Sequence, residues 1–386
     1  MPAAWRWRTV GLVSAESTGE APAQLDASDE PGAPEKVADA RTGVAVVFNP
    51  NKVDVPHVKA AVRAAATAAG RPAPLWIKRS KKHQGRKRIR KALKSGVGLV
   101  LAVGGDGTVR TAADALRGTG ATLAIIPFGT GNLLARNLDL PLSSFEDALT
   151  IAFGSTERAI DIGVATLTES SGKESEHAFV VMAGLGLDAA IVANTNSALK
   201  DRVGWLAYVD AGVRSLPKVR KVRVHYAIGD DAPHSAHVRT IVVANCGSLP
   251  GNIQLMPDAL LDDGLLDIAV MQPKTIFGWL KIWSTVGWEN RVLRRTSLGR
   301  SYIRLTNRGR ETELTYLRGE SISLAVDEPQ QFELDGDDFG EVVAVKLRAD
   351  PGGLVVKVAA ERQGQPSARR AAGSSRPERA DRRQEQ

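Results

Sequence analysis

An apolar run, Val97 to Val103, leads directly into Gly104-Gly105-Asp106-Gly107-Thr108, and no other junction constrains the fold as strongly. The run reads as a buried strand, and Thr111 to Leu116 beyond the turn reads as a helix. A strand, a glycine turn with one carboxylate and one hydroxyl, and a helix together suit a phosphate. Glycines let backbone N–H groups approach an anion, and a helix N-terminus adds favourable partial charge. The string lacks the Gly-Lys-Ser/Thr ending of a P-loop and the spacing of the dinucleotide fingerprint. Taken alone, it is also compatible with a tight structural turn.

The surrounding pattern supports a parallel sheet. Val44 to Phe48 is a predicted strand ending in Asn49-Pro50-Asn51, and Val55 to Ala69 is a predicted helix. Leu75 to Ile77 is a short strand, Arg86 to Leu93 a basic helix, and Leu123 to Ile126 another strand. Strands alternating with helices predict helices on both faces of the sheet and ligands at the carboxyl ends of the strands. Asn49, Gly104 to Thr108 and Phe128 to Asn132 all fall at such ends.

After about Ile160 the texture changes. Phe179 to Ala183, Val222 to Ile228, Arg239 to Ala244, Asp267 to Met271, Ser301 to Leu305, Glu313 to Tyr316, Ser321 to Val326 and Gln331 to Leu334 read as short strands. Few helices intervene, which predicts an antiparallel domain of sandwich type. The expected organisation is a disordered leader, 1–41, and a Rossmann-like parallel α/β domain, 42–160. A β-sandwich domain, 161–344, and a disordered tail, 361–386, follow, with residues near 345–360 packing back on the first domain. The expected fold class is α/β, a parallel α/β domain with a β-sandwich domain.

Composition excludes several classes. The apolar runs are too short to cross a bilayer, and the N-terminus has charge without a following apolar stretch, so no signal peptide is expected. One cysteine, Cys246, rules out an internal disulfide and any multi-cysteine metal site, and reads as a buried thiol. A cytoplasmic setting fits. The net charge of +8 is uneven: no acidic residue lies between Asp54 and Asp106, and Lys78 to Lys94 is densely basic. Further basic runs are Arg214 to Arg223 and Arg291 to Arg310. Such runs attract polyanions, including anionic headgroups, or form a solvated helix face.

A second glycine turn, Pro127-Phe-Gly-Thr-Gly-Asn132, again follows a strand, and Asn132 could cap the helix beyond it. With Asn49-Pro50-Asn51, Ala183-Gly-Leu-Gly-Leu-Asp188, Pro257 to Asp267 and Leu334-Asp-Gly-Asp337, the two turns form an ordered set. The set resembles the diacylglycerol kinase catalytic-domain family, which includes bacterial lipid kinases and sphingosine and ceramide kinases. It is similar, more distantly, to NAD kinases.

The resemblance implies an ATP-binding domain, a sandwich domain that takes a lipid alcohol, an active site in the cleft between them, and transfer of the γ-phosphoryl group, most simply to diacylglycerol. It places Asn49, Pro50, Asn51 and Lys52 along the nucleotide, with Ser80 near it. Gly104, Gly105, Asp106, Gly107, Thr108, Val109, Arg110 and Thr111 wrap the phosphates, and Asp106 touches Mg²⁺. Gly129, Thr130 and Asn132 contribute from the second turn. Leu260, Asp263 and Leu265 match the family's structural Mg²⁺ site, with a metal-free acidic turn as the alternative reading. Asp188 either faces the lipid or caps a helix.

Two departures stand out. The family motif ends Asp-Gly-Glu, whose glutamate takes the lipid proton, whereas Asp335-Gly336-Asp337-Asp338 offers a carboxylate one methylene shorter. Asp337 is the expected base, with Asp338 or a water as fallback. Arg79-Ser80 stands where the family tends to carry threonines.

The segment Phe277 to Trp288, flanked by Arg291, Arg294 and Arg295, suits peripheral association with the anionic inner face of a membrane, or packing on the sandwich. The resemblance also allows a homodimer. Rival readings are an NAD kinase-like enzyme, a sphingoid- or ceramide-directed kinase, a degenerate nucleotide-binding member, and a module binding nucleic acid through its basic runs. Nothing resembles a nucleic-acid fold, so no nucleic-acid partner is expected.

Overall fold

Apolar runs separated by short polar stops build the first half of the described chain. The computed structural model describes residues 41–50, 53–79, 84–185, 221–249, 253–272 and 314–360, all within the unit Asp39–Gln386. The first elements are β1 (Gly43–Phe48), α1 (Val55–Ala68), β2 (Leu75–Lys78), α2 (Gln84–Lys94) and β3 (Val97–Gly104). They are followed by α3 (Asp106–Leu116), β4 (Thr122–Pro127), α4 (Leu133–Asn137) and α5 (Phe145–Phe153).

Strands β4, β3, β1 and β2 lie side by side in that order, all parallel. The side chains of β1, β3 and β4 are buried on both faces, whereas the edge strand β2 leaves Leu75 and Lys78 exposed. Val44, Val46, Leu99, Leu101 and Ile126 pack with Val58 and Val62 of α1 and Leu149 of α5. On the other face Ala45, Val47, Val100 and Ala102 pack with Ile89 of α2, Val109 and Ala112 of α3, and Leu134 of α4. The carboxyl ends of all four strands therefore open on one edge. The basic run is a solvated face: Lys87, Arg88, Arg90, Lys91 and Lys94 of α2 are exposed while Ile89, Ala92 and Leu93 point inward.

Among the described residues the second half is almost wholly strand. It contains β5 (Glu157–Thr168), β6 (Glu174–Phe179), β7 (Met182–Leu185), β8 (Val222–Ile228), β9 (His234–Val238) and β10 (Thr240–Ala244). It continues with β11 (Ser248–Leu249), β12 (Ile253–Gln254), β13 (Leu266–Met271), β14 (Leu314–Gly319), β15 (Ser321–Leu334) and β16 (Asp337–Lys357). Strand β15 pairs with β8 through Ile322 to Val326 and with β7 through Phe332 to Leu334, and an irregularity between these stretches lets the sheet branch. Residues from both branches, including Val224, Val243, Ile268, Leu324 and Phe332, share one core, as a sandwich requires.

Strand β16 joins the halves. Its first part pairs antiparallel with β15, and its last part pairs parallel with β4 at Val355–Thr122 and Val356–Leu123. Along most of its length it also runs antiparallel to β5.

Several expectations need correction. The third helix begins at Asp106 rather than Thr111, so most of the predicted glycine turn is the helix's first turn. Phe179 to Ala183 is not one strand, because Val180 and Val181 bend the chain between β6 and β7. Ser321 to Val326 and Gln331 to Leu334 belong to one long strand. The strands β5, β6, β9, β11, β12 and β16 were not predicted. Ser301 to Leu305, Asn51, Lys52, Ser80, Asp188, the segment Phe277 to Trp288, the leader up to residue 40 and the tail lie outside the described residues.

Candidate active site

The four parallel strand ends converge on a cleft of about 300 Å³. Asn49 follows β1, Arg79 follows β2, Gly105 to Thr108 follow β3, and Gly129 to Gly131 follow β4. Asp335, Gly336 and Asp337 close the opposite wall.

The two glycine turns hold one another. Gly105 is the N-cap of α3 in extended conformation, and its carbonyl accepts the N–H of Thr108 at 2.8 Å. A Cβ on Gly129 would stand 2.5 Å from the Cα of Gly105, so the turns touch backbone to backbone. The Asp106 carboxylate crosses this contact and accepts the N–H groups of Asn132, at 3.0 Å, and Leu133, at 2.6 Å. It thereby caps α4, a task the sequence suggested for Asn132. Asn132 instead turns its amide back, accepting from the N–H of Gly129 and donating to its carbonyl. Its φ of +48° is left-handed, which asparagine tolerates better than most residues.

The far wall is a tight hairpin. Asp335 and Gly336 have φ of +50° and +76°, and Leu334 pairs with Asp337 across them, the geometry of a type I′ turn for which Asp-Gly is suited. The Asp335 carboxylate is fully buried and accepts the N–H groups of Val180, Val181 and Met182 at 2.8–3.0 Å. Burial pushes its pKa up to about 6, against these hydrogen bonds and the nearby Arg110 charge, which pull it down. Asp335 is thus a structural anchor that pins the bend between β6 and β7 beneath the hairpin.

This anchoring delivers Asp337 to the cleft, about one-third exposed. Its Oδ2 accepts hydrogen bonds from Nη2 of Arg110 at 2.7 Å and Nη2 of Arg79 at 3.3 Å. Nearby Glu333 is half-buried on β15, and burial, with the charges of Asp338 and Asp337, pushes its pKa up to about 7.

Asn49, Gly105, Asp106, Gly107, Thr108, Gly129, Thr130 and Asp337 line the cleft together. Pro50, Gly104, Val109, Thr111 and Asn132 do not line it, and Arg110 meets it through its hydrogen bond to the lining residue Asp337. Val109 packs into the core, Thr111 donates its hydroxyl to the carbonyl of Gly107, and a Cβ on Gly104 would meet Oγ1 of Thr108 at 2.5 Å. Arg79, Gly131, Asp335 and Gly336 were not predicted as lining residues. Only Arg79's departure from a threonine pattern pointed to it.

Leu260, Asp263 and Leu265 lie outside the cleft lining. Oδ1 of Asp263 accepts the N–H of Leu265, while Oδ2 is buried without a hydrogen-bond donor among the described residues. Nη1 of Arg318 stands 3.4 Å from that oxygen. The same guanidinium grips both carboxylate oxygens of Asp267, at 3.0 and 3.1 Å. Arg318 thus supplies the charge that a divalent cation would bring. Among the described residues, no cluster of three or more His, Cys, Asp or Glu side chains is placed to hold a metal.

Residues 44–165 match the diacylglycerol kinase catalytic domain, and residues 180–287 match the YegS C-terminal NAD kinase beta sandwich-like domain. A probable lipid kinase YegS-like of Pseudomonas savastanoi pv. phaseolicola is 32% identical over 283 residues, covering 72% of this chain and 81% of that protein. The chain belongs to the diacylglycerol kinase and YegS-like lipid kinase family. Another YegS-like relative, from Pseudomonas aeruginosa, is 35% identical over 199 residues. That match covers 50% of this chain and 62% of the relative, less than two-thirds of its length. The diacylglycerol kinase of Bacillus subtilis is 26% identical over 244 residues, covering 63% of this chain and 72% of that one. A crystal structure of a putative diacylglycerol kinase from Bacillus anthracis shares the fold. Its TM-score is 0.62 at 21% identity, over 82% of this chain and 97% of that one. For this family member, α/β elements followed by a β-sandwich are the shared architecture.

Proposed function

We propose that this chain transfers the γ-phosphoryl group of ATP, supplied with its Mg²⁺ as substrate, to the hydroxyl of a lipid, with diacylglycerol as acceptor. The observation that carries the reading is the opposition, across one cleft, of the α3 N-terminus with its flanking glycine turn and the carboxylate of Asp337.

Phosphoryl transfer needs positioning and charge neutralisation more than covalent help. A helix N-terminus directs backbone N–H groups outward, and the helix dipole favours an anion there. Gly105 and Gly107 line the cleft with backbone alone, and the Thr130 hydroxyl, exposed at the second turn, serves the nucleotide. Asp106 acts by holding the two turns together. The lipid oxygen attacks the γ-phosphorus, the bond to the bridging oxygen breaks, and ADP leaves. The hydroxyl proton passes to Asp337. No step runs through Asp263.

Peripheral binding at a membrane follows from a lipid acceptor. Among the described residues, no helix is long and apolar enough to cross one. A panel of acceptors with radiolabelled ATP tests the reading: diacylglycerol, a sphingoid base and ceramide in mixed micelles, with soluble NAD alongside. Labelled phosphatidate is expected. Label in NAD alone would favour the NAD kinase-like alternative and overturn the lipid reading.

A further inference from the structure

Two arginines from different elements converge on a single oxygen of Asp337. Arg110 reaches it from α3, with its guanidinium held 4.8 Å above the ring of Phe339. Arg79 reaches it from the end of β2, where its backbone N–H is tied to the carbonyl of Phe48 at 2.8 Å. The two side chains are only 12% and 22% exposed, and both Nε atoms are buried without an acceptor among the described residues. A guanidinium offers five donors in a rigid fork, far more than one carboxylate oxygen can use.

The group rests on the first turn of α3. A Cβ on Gly107 would stand 2.5 Å from Nη2 of Arg79 and 3.0 Å from Oδ2 of Asp337. The arginines therefore sit against the backbone assigned above to the nucleotide phosphates. The other charged groups nearby are Asp335 beneath the hairpin, with Glu333 and Asp338 on its two strands. The two places where the sequence departs from the family pattern, Arg79 and Asp337, are in direct contact although 258 residues apart.

Resting on the phosphoryl-transfer reading, we infer that Arg79 and Arg110 clamp the terminal phosphate of the nucleotide and, in its absence, cap Asp337. A terminal phosphate carries more charge and more acceptor oxygens than a carboxylate, and matches the guanidinium fork bidentately. Its arrival draws the arginines off Asp337 and leaves that carboxylate open to the lipid proton. The base is thereby uncovered when the phosphoryl group is in place. Arg79 and Arg110 touch the transferred group, and their pairing with Asp337 couples nucleotide binding to base availability.

Calorimetric titration of the full chain with MgATP and with MgADP tests this, because only ATP carries the clamped phosphate. Arg79→Met and Arg110→Met are expected to weaken MgATP about tenfold or more, the worth of one charge-assisted hydrogen bond, with MgADP nearly unchanged. Arg79→Lys recovers part of the loss. Asp337→Asn, which removes the competing carboxylate, tightens MgATP and not MgADP. Equal weakening of both nucleotides in the arginine variants, no weakening, or a loss of MgATP affinity in Asp337→Asn would overturn the clamp. If a methionine variant does not fold, the ATP-to-ADP affinity ratio of the lysine variant decides. A wild-type chain that binds neither nucleotide overturns the kinase reading and the clamp together. A wild type that binds ATP and phosphorylates lipid, with unchanged arginine variants, overturns the clamp alone.

Discussion

Oδ1 of Asp106 accepts the backbone N–H of Leu133 at 2.6 Å, so the first residue of α3 caps the helix that follows the second glycine turn. One carboxylate thus fixes the spacing of the two loops that form the cleft floor. Asp106→Ala is expected to cost about 2 kcal/mol of stability, the upper range for loss of an N-cap, measured by urea denaturation. Phosphoryl transfer falls further than stability does, because the turns no longer hold their spacing. Asp106→Asn, which keeps one accepting oxygen, should fall between the two. A stability unchanged in Asp106→Ala would show that the loops are held by their glycine contact alone.

Glu333 gives the fold a specific pH dependence. Its pKa is pushed up to about 7 by burial and by the charges of Asp338 and Asp337, above the ordinary 4.5. Between those values the native state binds more protons than the unfolded state, so stability falls as pH rises. The contribution is fully present below pH 4.5 and is lost as pH passes 7. After allowance for its partial exposure, the effect is about 1–2 kcal/mol. Glu333→Gln should therefore match wild type at pH 4.5 and exceed it by that amount at pH 8 in chemical denaturation. Equal stabilities at both values would remove Glu333 from the account.

Arg318 joins Asp263 and Asp267, whose carboxyl pKa values are both pushed up by burial. Arg318→Gln leaves two largely buried carboxylates without their cation and should cost about 3 kcal/mol. Because the guanidinium already supplies the charge, chelation is expected to leave the wild-type melting temperature unchanged. In Arg318→Gln, added Mg²⁺ should restore part of the loss. A fall in the wild-type melting temperature on chelation would place a cation at this turn after all.

The α/β half was largely legible because its signals are local. Apolar runs such as Val44 to Phe48 and Val97 to Val103 are strands buried on both faces, and the Arg86 to Leu93 pattern is one turned helix face. The start of α3 was misplaced because Gly105 and Gly107 read as turn residues, whereas an acid at the first helical position and Gly105 as cap allow the helix to begin there. In the sandwich half the pairings are long-range. Strand β16 carries Pro351-Gly352-Gly353, which reads as a break, yet the strand continues beyond an irregularity to pair with β4. The chemistry-bearing motifs were visible, but their division of labour was not. Asp335 serves backbone N–H groups more than 150 residues away, and Asn132 closes its own turn while Asp106 caps the helix. Arg79 gained meaning only beside Asp337.

The central claim is that Asp337 takes the proton from a lipid hydroxyl as the γ-phosphoryl group moves across the cleft. Single-turnover transfer from radiolabelled ATP to diacylglycerol in mixed micelles, compared between wild type and Asp337→Asn, measures this directly. Wild type should yield labelled phosphatidate, and Asp337→Asn should slow its formation by about a hundredfold or more, the range for a lost general base, while still binding MgATP. Transfer in Asp337→Asn at the wild-type rate, or a wild type that labels no lipid, would contradict the account.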